Sequence, residues 1–157
     1  MTHLSSPLTL APGDPASAPA VALIEELDGY LAGLYPAESR HGLSVPALLD
    51  PSVRFFLATC AGAIVGCGAF KFLAPEVAEI KRMFVLPAHR GCGYGRMILD
   101  QLGDAARAAG VSLLRLETGI YQPEAIALYE RCGFQRIAPF ADYWDDPLCL
   151  FYEKVIA

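Results

Sequence analysis

Three glycines at alternate positions, Gly91, Gly93 and Gly95, stand in the stretch HRGCGYGRM, between a β-like segment, VAEIKRMFVL, and a helical pattern. Glycine loses more backbone freedom on folding than any other residue. Three of them at the start of a helix therefore imply a compact turn or the close approach of a ligand. The first N–H groups of a helix have no intrahelical partners and carry the positive end of its dipole, which suits them to an anion. Arg90 and Arg96 flank the glycines, and with Lys81 and Arg82 they place four of the chain's 12 Lys and Arg residues in this strand and loop. In a chain of net charge −5 that concentration points to an anionic ligand such as a phosphate group. A Walker loop needs Gly-Lys-Ser/Thr at its end and the dinucleotide fingerprint needs G-x-G-x-x-G. The loop reads GCGYGR and has neither spacing, which tells against a nucleotide-binding regulator.

The segments around the loop set the fold class. LTLA (8–11) reads as a first strand, followed by a Pro/Ala/Ser loop over 11–19. Leu23, Leu27, Tyr30, Leu31 and Leu34 then recur at helical spacing until YPAES breaks the pattern, and residues 45–49 suit a short second helix. VRFFLATC and AIVGCGAFKFL, separated by Ala61 and Gly62, form a hairpin pattern that VAEIKRMFVL extends to a three-stranded meander. After the glycines, Ile98, Leu102, Ala105 and Ala109 share one helical face, closed by Gly110. VSLLRLET is β-like. QPEAIALYERCGF is a short helix with Pro123 at its start and Gly133 at its end, and FQRIAPF and LCLFYEKV supply two last strands joined by the acidic loop ADYWDDP. The order β-α-(α)-βββ-α-β-α-ββ predicts an α+β (mixed α/β) single domain over residues 1–157. Its central twisted, mostly antiparallel sheet is flanked by helices, and residues 1–6 form a disordered tail.

Composition removes several function classes. Hydrophobic residues make up 54% of the chain, yet no apolar run approaches the roughly 18 residues that span a bilayer, so no membrane partner is expected. A net charge of −5 leaves no broad basic face for nucleic acid. Five cysteines, an odd number without C-x-x-C, and only three histidines predict reduced, mostly buried thiols and no metal. MTHLSSPLTLAPGDP has no Lys or Arg and is interrupted by Ser, Pro and Gly, unlike a secretory signal, so a cytoplasmic protein is expected, as a monomer or homodimer.

Arg90-x-x-Gly93-x-Gly95 after a strand, with ALYERCGF further on, resembles the acetyl-CoA signature of the Gcn5-related N-acetyltransferase (GNAT) superfamily, whose element order matches nearly the whole chain. The phrases PAESRHGL, AEIKRMFV, LETG, ALYERCGF and PFADYWDDPLCLFYEK resemble a bacterial YsnE-like subgroup of it. The resemblance implies acetyl-CoA as cosubstrate, bound by Arg90, Gly91, Cys92, Gly93, Tyr94, Gly95 and Arg96 at the pyrophosphate. It also implies that Met83, Phe84 and Val85 splay from the neighbouring strand to pair with the pantetheine arm. The family often has Asn near the start of the last helix, where this chain has Gln122-Pro123.

Making an amide from a thioester requires a neutral amine, a stabilised oxyanion and a proton for the departing thiolate. By the resemblance Glu79, eleven residues before Arg90, is the general base and Tyr129 the acid, while a strand amide near Phe84 or Val85 meets the oxyanion. Nothing near Cys92 or Cys132 reads as an activating Cys-His pair, which favours direct transfer over an acetyl-cysteine. The family's acceptor pocket is roofed by the segment here reading YPAESRHGL, making Tyr35, Glu38, Ser39 and His41 substrate candidates. Lys81 and Arg82 alternate on their strand, so one of them faces the pocket; Arg82 there would suit a substrate carboxylate. Asp142, Tyr143, Asp145 and Asp146 form either a cationic-substrate rim or a solvated turn. The leading expectation is an N-acetyltransferase acting on a small amine, an amino acid or related metabolite. A non-catalytic acyl-CoA sensor and a protein-lysine acetyltransferase are the alternatives.

Overall fold

Seven strands form one sheet in the computed structural model, which describes residues 7–157; the tail expected at 1–6 lies outside the described residues. The elements run β1 (Thr9–Pro12), α1 (Ala18–Ala32), α2 (Val45–Leu48), β2 (Val53–Cys60), β3 (Ala63–Ala74), β4 (Val77–Val85), α3 (Tyr94–Ala108), β5 (Leu113–Gly119), α4 (Pro123–Arg131), β6 (Gln135–Ile137) and β7 (Cys149–Val155). Short 3₁₀ turns at Ala37–Ser39 and Pro87–His89 were not expected from the sequence. Strand order is β1-β2-β3-β4-β5-β7-β6, and every pairing except β4 with β5 is antiparallel. The predicted mixed α/β class and mostly antiparallel sheet are therefore observed.

Local chemistry explains the connections. Ala61 and Gly62 both take positive φ, +50° and +81°, as a two-residue hairpin whose twist matches its strands requires. On one face of the sheet Ile98, Leu99, Leu102 and Ala106 of α3 pack with Val65, Phe70 and Leu114. Gly68 permits this approach, since a Cβ there would stand 2.8 Å from Leu102 Cδ1. The buried face of α3 runs through Ala106, while Ala109, expected on it, is exposed at the helix end. On the other face Ala20, Leu23, Ile24 and Leu27 of α1 cover Phe55, Cys67, Ala69 and Phe84. Tyr30, expected in the same stripe, is 40% exposed and lies under the Arg90 guanidinium.

Two irregularities in β4 create the site. β4 pairs with β5 over Val77, Ala78 and Glu79 only, after which the two strands diverge. β4 also bulges: its register on β3 passes from Lys81 opposite Ala69 to Phe84 opposite Cys67, and Arg82 takes a left-handed φ of +53°. That conformation costs a non-glycine residue about 1–2 kcal/mol. It also breaks the alternation of side chains, so Lys81 and Arg82 both line the cavity between the strands, correcting the expectation that only one of them does.

Candidate active site

The divergence of β4 and β5 opens a cavity of about 100 Å³, walled by residues 79–83 of β4, residues 116–119 of β5, Tyr129 of α4, and a roof that includes Tyr35, Ser39 and His41. The roof is pinned at both ends. Tyr35 accepts from the Tyr121 amide at 3.0 Å and donates to Gln122 Oε1 at 3.2 Å, its ring stacked on Tyr121. Gln122, standing where the family often has Asn, thus holds the roof by its side chain. Burial raises the Tyr35 phenol to about 12, so it remains a neutral donor. At the other end, Arg82 donates through Nη1 to Asp28 of α1 at 2.6 Å and through Nε to the Leu43 carbonyl at 2.8 Å. Its guanidinium is spent on tying helix and roof to the strand, in place of the substrate-carboxylate contact envisaged from sequence.

The floor carries a buried polar cluster. Lys81 Nζ lies 3.1 Å from Glu79 Oε2 and donates to the Tyr143 hydroxyl at 2.6 Å and to the His41 carbonyl at 3.2 Å. The Tyr143 hydroxyl in turn donates to Glu79, and burial together with the Glu79 charge raises its pKa far above that of a free phenol. The acidic loop is therefore neither a uniform rim nor a solvated turn. Tyr143 and Asp146 turn inward, while Asp142 and Asp145 stay exposed. His41 packs edge-on against Tyr143, and burial and the neighbouring Lys81 lower its pKa, leaving the imidazole neutral. His41, Asp146 and Cys149 offer ligand atoms within 4.8 Å of one another, a set that fits a metal by composition. The Cys149 thiol already donates to Asp146 Oδ2 at 3.5 Å.

Of the acceptor candidates, Tyr35, Ser39, His41 and Arg82 line the cavity. Glu38 does not: the single 3₁₀ turn buries Ser39 and leaves Glu38 exposed. Glu79 and Tyr129 stand on the same cavity. Burial, with the Glu117 charge nearby, raises the Tyr129 phenol well above its free value. Glu117, not singled out from sequence, is a second cavity carboxylate, raised to about 7 by burial against the opposing Cys149 hydrogen bond and Lys81 charge. The signal for it was an acidic residue in LLRLETG, a strand with neighbours on both sides.

Where β4 ends, residues 91–95 turn the chain into α3. Gly91 and Gly93 have φ of +81° and +79°, and a Cβ on either would stand in open space. Gly95 differs: its Cβ would lie 3.2 Å from Leu128 Cδ2, so it is glycine for helix packing. Arg90, Cys92 and Arg96 are exposed. Arg90 lies over the rings of Tyr30 and Phe84, and Arg96 is 3.9 Å from Asp100. Tyr94 turns its side chain inward to Cys60, at 3.1 Å, so only its backbone belongs to the loop surface. Phe84 is buried beneath α1, while Met83 lines the cavity and Val85 is partly exposed beside the loop.

Residues 20–134 match the acetyltransferase (GNAT) family. The chain belongs to that family. An IAA acetyltransferase of Azospirillum brasilense is 49% identical over 148 residues, 94% of this chain and 97% of the relative. The uncharacterized N-acetyltransferase YsnE of Bacillus subtilis is 36% identical over 137 residues, 85% of this chain and 90% of the relative. Among solved structures, that of a Klebsiella pneumoniae protein assigned as an acyl-CoA N-acyltransferase has a TM-score of 0.83 and 36% identity. It covers 96% of this chain and 98% of that one. This GNAT chain thus shares fold and family with the YsnE-like proteins across most of its length.

Proposed function

We propose that this GNAT acetyltransferase moves the acetyl group of acetyl-CoA directly onto the amine of a small molecule, an amino acid or a metabolite related to one, within a ternary complex in the cytoplasm. The observation that carries the reading is the alignment of three features along the β4–β5 divergence. These are the open backbone at Gly91 and Gly93, the separated strand edges, and a cavity lined by Tyr129 and two carboxylates. Space where a Cβ would sit, at the start of a helix, fits a pyrophosphate, and the exposed Arg90 and Arg96 add charge beside it. Residues 83–85 leave one strand edge without a ladder partner, suited to the amide groups of a pantetheine arm. A cavity of about 100 Å³ is below the roughly 300 Å³ and more that drug-sized ligands occupy, which favours a slender amino end.

In this reading Tyr129 donates its hydroxyl hydrogen bond to the leaving sulfur. Because burial raises the phenol above a free thiol, the hydroxyl stabilises the departing thiolate and passes a proton only as the nitrogen supplies another. Amine deprotonation falls to one of the two cavity carboxylates. The test is thiol release from acetyl-CoA over a panel of amines and amino acids, with mass spectrometry locating the acetyl group on the acceptor nitrogen. The name of the Azospirillum relative adds IAA to that panel. Tight CoA binding without thiol release on any acceptor would replace the enzyme by an acyl-CoA sensor.

A further inference from the structure

Three ligating side chains meet where the roof touches β7, and no step of acetyl transfer uses them together. His41 comes from the roof, Asp146 from the β6–β7 loop and Cys149 from the first position of β7, and their ligand atoms lie within 4.8 Å of one another. Asp146 is 2% exposed and Cys149 6%, so the oxygen and the sulfur are withdrawn from solvent. The Asp146 carboxylate is already oriented: Oδ1 accepts the Leu148 amide at 2.9 Å, and the Ser39 hydroxyl adds a further hydrogen bond. Oδ2 takes the Cys149 thiol, a weak donor, at 3.5 Å. The same thiol has the Ser39 carbonyl at 3.9 Å and the Glu117 carboxylate as other acceptors. One thiol proton thus stands among two carboxylates and a carbonyl, an electron-rich spot short of positive charge. Lys81 does not supply that charge, being committed to Glu79, Tyr143 and the His41 carbonyl. Among the described residues neither ring nitrogen of His41 has a hydrogen-bond partner; the ring's contact is edge-on with Tyr143.

We propose that His41, Asp146 and Cys149 hold a divalent metal ion of the zinc type. A thiolate, an imidazole and a carboxylate together suit Zn(II) or Co(II) better than the oxygen-seeking Mg(II) or Ca(II). Bonds of about 2.3 Å to sulfur and about 2.0 Å to oxygen set those two ligand atoms about 3.5 Å apart at tetrahedral angles. Cys149 Sγ and Asp146 Oδ2 already have that separation. His41, with no ring hydrogen bond to break, completes the set by turning. As Sγ bonds the ion the thiol proton passes to solvent, and thiolate and carboxylate then balance the 2+ charge. The Leu148 amide and the Ser39 hydroxyl keep the carboxylate aimed. Three protein ligands leave a fourth corner to water, and the ion ties roof, loop and β7 together. The lack of a C-x-x-C spacing predicted no metal, but this set joins residues distant along the chain, which spacing does not register. The proposal stands independently of acetyl transfer and is tested without turnover.

The test takes the full chain, reduced and stripped with a chelator, and titrates it with Co(II) chloride and then Zn(II) chloride. One equivalent of cobalt should bring a near-ultraviolet thiolate charge-transfer band and the intense visible bands of tetrahedral coordination, and zinc should displace both. Cys149→Ser should remove the charge-transfer band. His41→Ala should weaken zinc about 100-fold or more, read by competition with a chromophoric chelator. Cys92→Ser, which removes the exposed thiol, should change neither. Zinc at about 100 times its wild-type Kd should raise Tm by about 5–10 °C in the wild type and by about 1–2 °C in His41→Ala. A wild type with no thiolate band at one equivalent of cobalt overturns the proposal, as does a band that persists in Cys149→Ser or is lost in Cys92→Ser. Equal zinc affinity in His41→Ala and wild type overturns it as well, and that arm decides the matter even where Cys149→Ser does not fold.

Discussion

Replacing Gly93 by alanine separates the two things glycine does in this loop. In the free protein the added Cβ meets nothing within 4 Å, so the only cost to folding is the left-handed backbone at φ +79°. That cost is about 1–2 kcal/mol, and at about 2–4 °C per kcal/mol for a chain of this size it lowers Tm by roughly 2–8 °C. In the complex the same methyl group stands where the pyrophosphate is proposed to approach the helix start. Losing one charge-assisted hydrogen bond there, about 1.5–3 kcal/mol, weakens CoA about 10- to 100-fold. Gly95→Ala is the control. It gains helix propensity of up to about 1 kcal/mol and meets Leu128 at 3.2 Å on the side facing α4, so CoA affinity should stay within a few-fold of wild type whichever way stability moves. Thermal unfolding and calorimetric titration with CoA read the two effects apart. A folded Gly93→Ala protein with wild-type CoA affinity would refute the reasoning, as would an equal loss in Gly95→Ala.

Tyr129→Phe keeps the edge-to-face contact with Phe134 at 5.9 Å and removes only the hydroxyl, so kcat should fall about 10- to 10⁴-fold with CoA affinity nearly unchanged; wild-type kcat with chemistry rate-limiting removes the assignment. Gly42→Ala puts a Cβ 2.5 Å from the Arg82 guanidinium and pushes it from Asp28; chemical denaturation should show a loss of about 1–3 kcal/mol and kinetics a raised acceptor KM, whereas wild-type values for both would show the Arg82 tie to be dispensable. Glu117 has a folded-state pKa of about 7, above the 4.5 of an ordinary glutamate, so its contribution is fully present below about 4.5 and is lost as pH rises through about 7. Glu117→Gln escapes that loss and should gain up to about 3 kcal/mol over wild type between pH 4.5 and pH 8, with none at pH 4; equal stability at pH 8 contradicts the burial argument. All five thiols should be alkylatable without reductant in protein quenched from cells, and a quantitative disulfide would argue against the proposed cytoplasmic setting.

The parts legible in the sequence were those fixed by neighbours along the chain. The glycine loop, Pro123 at the start of α4 and the Ala61-Gly62 hairpin each depend on a few adjacent residues, and each was found where expected. The site depends on residues far apart. Tyr143 meets Glu79 across 64 positions, and Arg82 meets Asp28 across 54. Period-two alternation gave one of Lys81 and Arg82 to the cavity, because a bulge is set by the register with β3 and leaves no mark in VAEIKRMFV. Glu38 and Ser39 were offered together as roof residues, and the rotation of a single 3₁₀ turn separated them. Glu117 looked like an ordinary strand carboxylate because its raised pKa comes from burial between β4, β7 and α4.

The same long-range geometry links the fold's weakest pairing to the proposed chemistry. In a seven-stranded sheet a central pair joined over only three residues leaves backbone N–H and C=O groups of residues 80–85 and 116–118 without ladder partners on their facing edges. Unpaired polar groups at a partly dehydrated edge are costly, so a fold that retains them has them answered by water or by a ligand that carries amides of its own. Pairing β4 and β5 along their full length would remove that cost, but it would close the cavity that Tyr129 and Glu117 line. The bulge at Arg82 and its anchors on Asp28 and Leu43 hold β4 against such closure. On this argument Arg82 contributes to activity through the shape of the site, and its loss should raise acceptor KM in steady-state kinetics while leaving CoA affinity by calorimetry within a few-fold of wild type; an unchanged KM would show that β4 keeps its course without these anchors.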